Sequence, residues 1–480
     1  MGVSPARSAS DDGAAARFQG SLTLLPALFG ALAIGLSLEL PGVGGGVDPD
    51  GLFAALQPLR EFPSWHQIRR RRNGSAHGGN MDRRRFILGS SGALTGGLLL
   101  PGIFNAASGE GLPAGAVASG ILDALPGKQP LIKRSFRPPN YETPVSFYRH
   151  AFTPNDAFYV RWHTQVPEIA RAQWRLRISG PGVKSEREFT YEALRRKFKT
   201  TEVAAVNQCS GNRRGFFSPH VPGVQWGYGA MGNAVWSGVR LKDVLEDAGL
   251  SAGALEVVGN GAEAPALSGP DFVKSLPMWK ALDPETLIAF EMNGEPLPTW
   301  NGFPARLVVP GWTATYWIKA VVELTVSDKP FDGFWMKTAY RVPKGMFGAS
   351  GFESQDTEQN SPITAIKVNS LVVDPEPGAV LERGKRAEVL GIAWDGGSGI
   401  RGVEVSLDGG ATWRDAKLGR DLGRYSWRQW RFAIKPEQAG AMTLMARARA
   451  RDGSTQVNAL IHNPAGYHHN VVQKVDYHVA

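Results

Sequence analysis

The sequence predicts an α+β fold, in which a mixed domain over residues 130–350 precedes an all-β, immunoglobulin-like sandwich over residues 363–480. In the first region short β-rich runs are interrupted by a few helices. These helices do not alternate regularly with the strands, which favours α+β over a doubly wound sheet. In the second region short strands recur between turn signals, which is typical of a sandwich. A Gly/Ser/Gln-rich stretch over 343–362 separates the two regions.

The elements of the first region are predicted from hydrophobic periodicity and capping signals. Strands are predicted at 158–162, 174–178, 303–309 and 318–326. A helix is expected over 190–198, because Thr190 is a suitable N-cap and Glu192 follows in the first turn. A second short helix is expected over 241–248.

The sandwich prediction rests on two alternating segments. Val403 and Val405 alternate with polar residues before Asp408-Gly409-Gly410, a sequence that favours a hairpin turn. From 444 to 450, Leu or Ala alternates with Met or Arg, which predicts one buried and one solvent-exposed face.

Composition limits the kind of protein that this chain can be. The 480 residues are 42% hydrophobic and 20% charged, with 58 Gly and 33 Pro, proportions that exclude a fully disordered, collagenous, coiled-coil or polytopic membrane protein. The 53 Lys+Arg and 44 Asp+Glu give a net charge of +9. The basic excess forms no Lys/Arg stripe, so we do not expect nucleic-acid binding. The single cysteine excludes an internal disulfide, a Cys-rich zinc site, an iron–sulfur cluster and a Cys-x-x-Cys-His haem attachment on this chain.

The first 118 residues are interpreted as lying outside the folded domains, with a targeting signal over residues 81–118. Residues 81–118 begin with three arginines at 83–85 before a short apolar run and end with Ala116-Val117-Ala118, which is typical of a twin-arginine (Tat) signal peptide with its cleavage site. We therefore expect export to the periplasm by the Tat route. Residues 1–80 are interpreted as a low-complexity extension that is not translated, with Met81 as the true start.

Cys209 lies in a turn-like setting, Gln208-Cys209-Ser-Gly-Asn-Arg213-Arg214. Guanidinium groups stabilise a thiolate, the form that binds soft metals or acts as a nucleophile. The apolar run before it equally permits a buried structural cysteine, so composition leaves both interpretations open.

Several cations stand on or beside the predicted strands. Arg161 and His163 lie two residues apart, so they share one face of a strand. Arg306 and Lys319 flank apolar runs. Such charges are usually solvated, but a converging group of them would bind a phosphate or another oxyanion.

Six segments occur in a fixed order along the chain. They are Tyr159-Val-Arg161-Trp-His163, Gln208-Cys209-Ser-Gly-Asn212-Arg213-Arg214, Trp236-Ser-Gly-Val-Arg240-Leu-Lys-Asp243, Phe290-Glu-Met-Asn-Gly294-Glu-Pro-Leu-Pro298, Gly302-Phe-Pro-Ala-Arg306 and Ser406-Leu-Asp-Gly-Gly410-Ala-Thr-Trp413. Together they resemble the sulfite oxidase family of molybdenum enzymes, from about residue 130 to the C-terminus. The resemblance implies a molybdopterin-binding catalytic domain followed by a dimerisation-type sandwich.

The resemblance also implies roles for individual residues. Cys209 would bind the molybdenum of a molybdenum–molybdopterin cofactor, Arg161 and Arg214 would bind sulfite, and Tyr340 would be the active-site tyrosine. The pterin and its phosphate would be held by Tyr159, His163, Asn301, Arg306 and Lys319.

In two places the chain departs from the family pattern. Family members often have His where this chain has Asn301. Some members also have an Arg in the C-terminal domain near the substrate, whereas the comparable stretch 462–469 has none. His468 or His469 is expected to take its place, which would make activity sensitive to pH near neutrality.

The function implied by the resemblance is oxidation of sulfite to sulfate. Because the chain has no haem motif, a c-type cytochrome is the expected electron acceptor, and a homodimer or a heterodimer with the cytochrome subunit remains open. Three alternatives also remain: the sulfane dehydrogenase of the thiosulfate-oxidising multienzyme system, a sulfoxide reductase, and a non-enzymatic binding protein with an inert cysteine.

Overall fold

The structure, a computed structural model, describes residues 121–265, 269–344, 355 and 357–480. The predicted Tat signal over 81–118 and the segment 1–80 lie outside the described residues. In the part of the chain that is described, no helix combines the length and the apolar character needed to cross a membrane.

The strands of the first region are short and follow one another closely along the chain. In chain order they are β1 (Leu122–Asp123), β2 (Leu131–Ser135), β3 (Asn140–Glu142), β4 (Val160–Arg161), β5 (Arg175–Ser179), β6 (Arg187–Thr190), β7 (Thr200–Gln208), β8 (Met231–Arg240), β9 (Glu256–Gly261), β10 (Val273–Pro277), β11 (Leu287–Met292), β12 (Glu295–Pro296), β13 (Arg306–Val308), β14 (Val321–Ser327), β15 (Arg341–Pro343) and β16 (Asn360–Pro362).

These strands form three larger sheets and one small one. The sheet orders are β1-β2-β3-β4, β10-β9-β14-β5-β6, and β12-β11-β8-β7 with β13 paired to β11, while β15 pairs with β16. Among them only β14 and β5 pair in parallel within the described residues. This mixture of connections confirms the α+β prediction for the first region.

Four short α-helices lie between these strands in the described residues. They are α1 (Tyr191–Lys197), α2 (Leu241–Ala248), α3 (Met278–Ala281) and α4 (Phe334–Lys337). The first two confirm the sequence predictions, and the Thr190 side chain accepts a hydrogen bond of 3.1 Å from the backbone N–H of Ala193, as an N-cap does. Single turns of 3-10 helix lie at Val145–Arg149, Arg171–Gln173, Arg214–Phe216, Thr299–Asn301 and Ala314–Tyr316.

Three predicted strands are shorter in the structure than the runs suggested. The run 158–162 pairs only over β4, so His163 lies beyond the end of the strand. The run 303–309 pairs only over β13, because Pro304 has no N–H to donate to a ladder. The run 318–326 begins to pair at Val321, because Ala320 has a positive φ of 46° that interrupts extended backbone.

The C-terminal region is a sandwich of two sheets. Its strands are β17 (Asn369–Asp374), β18 (Val380–Leu381), β19 (Ala387–Trp394), β20 (Ile400–Ser406), β21 (Arg414–Asp415), β22 (Lys417–Leu418), β23 (Arg428–Ile434), β24 (Gly440–Ala450) and β25 (Gln473–Val479). The sheet orders are β17-β19-β23-β22 and β18-β25-β24-β20-β21. The alternation is confirmed at Val403, Val405 and Leu444, which are fully buried, and at Arg449, which is exposed, whereas Met445, predicted on the exposed face, is buried.

The sandwich also holds the end of β7 in place. The backbone N–H of Val206 donates to the carbonyl of Tyr425 (2.9 Å), and the indole N–H of Trp394 donates to the Gln208 side chain (2.6 Å). Val206 and Trp394 belong to one buried apolar cluster, together with Trp427 and Met231. The segment that follows Gln208 is therefore fixed by both regions of the protein.

Candidate active site

Cys209 directly follows β7 in a tight, backbone-bonded loop. Its N–H donates to the Ala230 carbonyl (2.9 Å), and its own carbonyl accepts from the N–H of Asn212 (3.0 Å). The Asn212 side chain in turn accepts from the N–H of Ala230 (3.1 Å). The loop then turns through Arg213, which has a positive φ of 69°. These bonds hold the Cys209 thiol, which is 7% exposed, at the wall of a cavity.

The cavity encloses about 470 Å³ of space between atoms, part of it open to solvent. It brings together residues that are far apart in sequence. Its lining comprises Tyr159, Arg161, His163, Asn207, Cys209, Phe272, Trp300, Asn301, Arg306, Ala314, Thr315, Lys319 and Tyr340. Eight of the nine residues singled out in the sequence are in this set, and Arg214 is the exception.

The electrostatic character of the cavity is strongly cationic. Arg161, Arg306 and Lys319 line it, and no Asp or Glu does. Burial lowers the pKa of Arg306 to about 10, so its guanidinium stays charged at neutral pH. Burial, together with the nearby Arg306 and Arg161, lowers the pKa of Lys319 to about 8. A cavity with three cations and no carboxylate favours an anionic occupant.

Arg306 is a buried cation whose hydrogen bonds are incomplete. Its two terminal nitrogens donate to the carbonyls of Asn301 (2.8 Å) and Trp317 (3.1 Å), and its guanidinium carbon lies 5.1 Å from the Trp236 ring centroid. The Nε of Arg306 is buried without a hydrogen-bond partner. A fully buried cation with no carboxylate partner and an unpaired donor is costly unless a ligand completes it.

Tyr340 and His163 form a bonded pair on the cavity wall. The Tyr340 hydroxyl and the His163 Nε2 are 2.8 Å apart, and the imidazole stacks on Phe272 with ring centroids 3.8 Å apart. Burial, with the charges of Arg161 and Lys319, lowers the pKa of His163 well below its ordinary value, so the ring is neutral. Burial raises the pKa of Tyr340, although Arg161 opposes the shift, so the phenol keeps its proton.

Asn301 lines the cavity, but its side chain is already engaged. Its amide nitrogen donates to the Tyr159 carbonyl (3.0 Å), and its oxygen accepts from Lys128 (2.7 Å). Lys128 also donates to the carbonyls of Asn155 and Phe158, and burial lowers the pKa of Lys128 to about 7. Asn301 therefore supports the wall, and Lys128 is a supporting residue that no sequence motif indicated.

Asn207 is another residue that sequence reasoning missed, although it lies only two positions before Cys209. Its oxygen accepts from the Tyr159 hydroxyl (2.6 Å), while its Nδ2 is buried and unpaired. The Nδ1 of His163 is likewise buried and unpaired.

The residues present fit a molybdopterin cofactor. Asn207, His163 and Arg306 line the cavity, and each has a buried polar atom without a hydrogen-bond partner. A pterin with a phosphate offers both hydrogen-bonding groups and negative charge. Cys209 offers the soft ligand that molybdenum requires. Clusters of three or more His, Cys, Asp and Glu that could hold a metal by themselves are absent from the residues that the structure describes.

Arg214 lies beside the cavity but does not line it. Its Nε donates to the Ala465 carbonyl (2.9 Å) and its Nη1 to the Val224 carbonyl (3.2 Å).

The expectation for His468 and His469 is also changed: both are buried and neither lines the cavity. Burial lowers the pKa of His468 to about 3 and that of His469 well below its ordinary value, so neither imidazole titrates near neutrality.

Comparison with known proteins identifies two domains. Residues 163–335 match the oxidoreductase molybdopterin binding domain, and residues 360–480 match the Mo-co oxidoreductase dimerisation domain. The chain is 34% identical over 350 residues to sulfite oxidase of Gallus gallus, covering 70% of this chain and 75% of that protein. It is 35% identical over 367 residues to mitochondrial sulfite oxidase of Drosophila melanogaster, covering 72% of this chain and 63% of that protein.

The chain is also similar, over most of its length, to a solved structure. The sulfane dehydrogenase SoxCD from Paracoccus pantotrophus matches with a TM-score of 0.63 and 25% identity, covering 82% of this chain and 96% of that one. The fold and the cationic, cysteine-bearing cavity thus define a molybdopterin oxidoreductase. The chain belongs to the sulfite oxidase family, and it spans 63% of the length of its Drosophila relative.

Proposed function

We propose that this protein oxidises sulfite to sulfate with a molybdenum–molybdopterin cofactor and passes the two electrons to a c-type cytochrome in the periplasm. The observation that carries the proposal is the shared cavity of Cys209, Arg161 and Tyr340, which no carboxylate lines. A small sulfur oxyanion is attracted to this cationic space, where it would lie next to a thiolate-bound metal.

The reaction consumes sulfite and water and yields sulfate, two protons and two electrons. When bound, the molybdenum centre supplies the oxygen atom that sulfur gains and accepts the two electrons. Cys209 would hold the metal, while Arg306, Lys319, Asn207 and His163 would hold the pterin and its phosphate, because these residues line the cavity and carry a positive charge or an unpaired polar atom.

Arg161 would orient the substrate. It lies on β4, and its Nη1 donates to the carbonyl of its neighbour Trp162, which fixes the guanidinium at the cavity wall. The nearby Tyr340 and Cys209 raise the pKa of Arg161 despite its burial, so its charge is permanent. Fixed positive charge binds the oxygens of sulfite and leaves the sulfur lone pair free to react.

The Tyr340 hydroxyl would serve as a hydrogen-bonding group at the reacting atoms. In the tautomer of the neutral His163 that carries its proton on Nε2, the imidazole donates to the phenol oxygen, and the hydroxyl proton of Tyr340 can then point into the cavity. The raised pKa of Tyr340 keeps that proton in place at neutral pH, so the residue acts as a donor.

Export by the predicted Tat signal, electron transfer to a separate cytochrome, and a dimer through the sandwich complete the proposal. The family match of residues 360–480 to a dimerisation domain supports a dimer. The single cysteine of the sequence supports a separate haem protein, because a c-type haem attachment uses two cysteines.

A second candidate is a sulfane dehydrogenase, which acts on sulfur carried by another protein. The coverage of 96% of the SoxCD chain favours it. The position of Arg214 also favours it, because a cavity with one substrate-facing guanidinium suits a less charged sulfur substrate.

The two candidates are separated by anaerobic assay of the purified, molybdenum-loaded protein. Free sulfite is mixed with oxidised cytochrome c, whose reduction is followed optically while sulfate is measured by ion chromatography. We expect stoichiometric sulfate with two cytochromes reduced per sulfite. Reduction only with a protein-bound sulfane would establish the second candidate, and a protein purified without molybdenum or pterin from a competent host would exclude both.

A further inference from the structure

Cys209 lies in a loop that is bonded to a second loop, residues 226–230, which we call the supporting loop. The N–H of Cys209 donates to the Ala230 carbonyl (2.9 Å). The N–H of Arg213 donates to the Gly227 carbonyl (2.8 Å). The position of the Cys209 thiol therefore depends on the position of the supporting loop.

The supporting loop is itself bonded to a buried carboxylate, Glu142, at the end of β3. Its Oε1 accepts from the N–H of Gly227 (2.6 Å), and its Oε2 accepts from the N–H of Gly229 (3.0 Å). The backbone adds a third bond, from the N–H of Thr143 to the Gly229 carbonyl (3.0 Å). Glu142 lies 85 and 87 positions from the two glycines, so no short motif pairs them.

Arg134, on β2, compensates the charge of this carboxylate. Its Nε donates to Oε1 of Glu142, and the side chains of Arg134 and Glu142 are 11% and 1% exposed. Hydrogen bonds to an ionised group are shorter and stronger than those between neutral groups. The Arg134–Glu142 pair therefore holds two N–H groups of the supporting loop with charge-assisted bonds.

The two glycines allow the carboxylate to approach the backbone this closely. A Cβ added at Gly229 would clash with the Thr143 carbonyl oxygen and would lie 2.8 Å from the Cβ of Glu142. A Cβ added at Gly227 would lie 3.1 Å from Oε2 of Glu142. A larger residue at position 229 would push the supporting loop away from β3, because glycine alone leaves this space free.

The ion pair contributes more to geometry than to stability. Removing two charges from water offsets most of the attraction between them, so a buried pair adds little to the free energy of unfolding. Its two oxygens, however, accept from N–H groups that lie two residues apart in one loop. This arrangement fixes the conformation of the supporting loop where that loop bonds to the Cys209 loop.

We propose that Glu142 is a positioning residue for the metal ligand. Together with Arg134 it fixes the supporting loop, and through that loop it holds the Cys209 thiol where the thiol can bind molybdenum. The inference rests on the proposed function and deepens it. It makes cofactor retention depend on a carboxylate of β3, which belongs to a different sheet from β7 and β8.

The only cysteine of the chain gives a direct readout. Alkylation of the full chain by iodoacetamide, followed by mass spectrometry, measures how often the Cys209 loop opens, since the thiol is 7% exposed when the loop is closed. In protein produced without cofactor, Glu142→Gln should be alkylated about tenfold faster than the wild type, because an NH2 group replaces one oxygen and meets other donors. A wild-type rate in Glu142→Gln would overturn the proposal.

Molybdenum content of the loaded protein is the second readout. After gel filtration Glu142→Gln should retain about a tenth or less of the wild-type molybdenum, because its thiol is no longer held in place. Arg134→Lys keeps a cation beside the carboxylate and should retain about half or more. Wild-type molybdenum content in Glu142→Gln would refute the positioning role.

The matched control is Glu404→Gln in the sandwich. Glu404 is another largely buried carboxylate, 15% exposed, and it pairs with Arg447 and Arg449. Its replacement should change neither the alkylation rate nor the molybdenum content. If Glu404→Gln raised the alkylation rate as much as Glu142→Gln, lower global stability would explain both, and the positioning role would be refuted.

Should Glu142→Gln fail to fold, as judged by circular dichroism, Glu142→Asp replaces it in both measurements. Asp keeps the charge but is one methylene shorter, so it should lose a bond to one of the glycine N–H groups, and the same rise in alkylation is expected. The proposed function fails separately. A loaded wild-type protein that oxidises no sulfite would refute it, while alkylation rates and molybdenum content would still decide the role of Glu142.

Discussion

The sandwich and the cavity region differ in whether their charged side chains form ion pairs. In the sandwich, Arg447 lies 2.9 Å from Glu404 and Arg449 lies 3.0 Å from Asp415, all at or near the surface. The three cations that line the cavity, Arg161, Arg306 and Lys319, form no ion pair with a carboxylate among the described residues. The buried Lys128 and Lys274 form none there either.

This difference shows which region depends on a ligand. Ion pairs at a surface contribute little to the free energy of unfolding. The paired charges of the sandwich therefore need no ligand. Buried cations without partners lower stability, and a protein keeps them where a bound anion compensates them. The cavity region is thus complete only with its cofactor.

The largest expected effect comes from removing the metal ligand. Cys209→Ser should abolish molybdenum retention and lower sulfite turnover by more than about 10³-fold, which corresponds to ~4 kcal/mol. The fold should survive, because Cys209 makes no side-chain hydrogen bond in the described structure. Molybdenum content and kcat are measured together with circular dichroism. Near-wild-type activity would disprove the ligand assignment.

Replacing the buried cation Lys319 with an apolar residue should stabilise the cofactor-free protein and weaken cofactor binding. Lys319→Met should lower cofactor content about tenfold or more, because a charge for the phosphate is lost. The same change should raise the free energy of unfolding of the cofactor-free protein by about 1 kcal/mol, since an unpaired cation is replaced by an apolar side chain. Thermal unfolding and pterin content are the measurements.

The matched control for Lys319 is Lys329→Met, because Lys329 is exposed and outside the cavity. It should change neither cofactor content nor stability noticeably. A cofactor-free Lys319→Met protein that is less stable than the wild type would contradict the idea that this charge is uncompensated.

The pH dependence of stability should also distinguish the cofactor-free from the loaded protein. Burial lowers the pKa of Lys128 and Lys274 to about 7 and, with Arg306 and Arg161 nearby, that of Lys319 to about 8, from 10.5. Between pH 7 and 10 the unfolded chain therefore binds more protons than the folded one, so stability rises with pH. Tm of the cofactor-free protein should increase by several degrees from pH 7 to pH 9.

In the loaded protein that increase should be smaller. The cofactor phosphate stabilises the charged form of Lys319 and returns its pKa toward the ordinary value, which removes its share of the pH dependence. Parallel Tm curves for the loaded and cofactor-free proteins would show that Lys319 does not meet the phosphate.

The smallest expected effect comes from the sandwich. Arg447→Met removes the pair with Glu404 and a contact in which the guanidinium carbon lies 4.2 Å from the Trp413 ring centroid. Both groups are partly exposed, so the free energy of unfolding should fall by only about 0.5–1 kcal/mol. Urea titration measures it, and cofactor content should not change. A loss of cofactor here would show that the two regions are coupled more closely than their charges indicate.

Several elements of the fold could be predicted from the local sequence. The alternation in β20 and β24 determines which face is buried, because side chains of a strand point to opposite faces with a period of two. Thr190 starts its helix for an equally local reason, a side-chain oxygen within reach of an N–H three residues on. Arg161 and His163, which were predicted to share a strand face, both line the cavity, although the strand ends at Arg161.

Other features were decided by tertiary structure alone. Arg214 bonds to a carbonyl 251 positions away, and Lys128 bonds to Asn301 across 173 positions. No periodicity or short motif records such contacts, because they depend on how the sheets and the C-terminal segment pack. For the same reason, the cations of the site could be predicted from the sequence. Only the tertiary structure determined which of them line the cavity and which are bound by backbone carbonyls beside it.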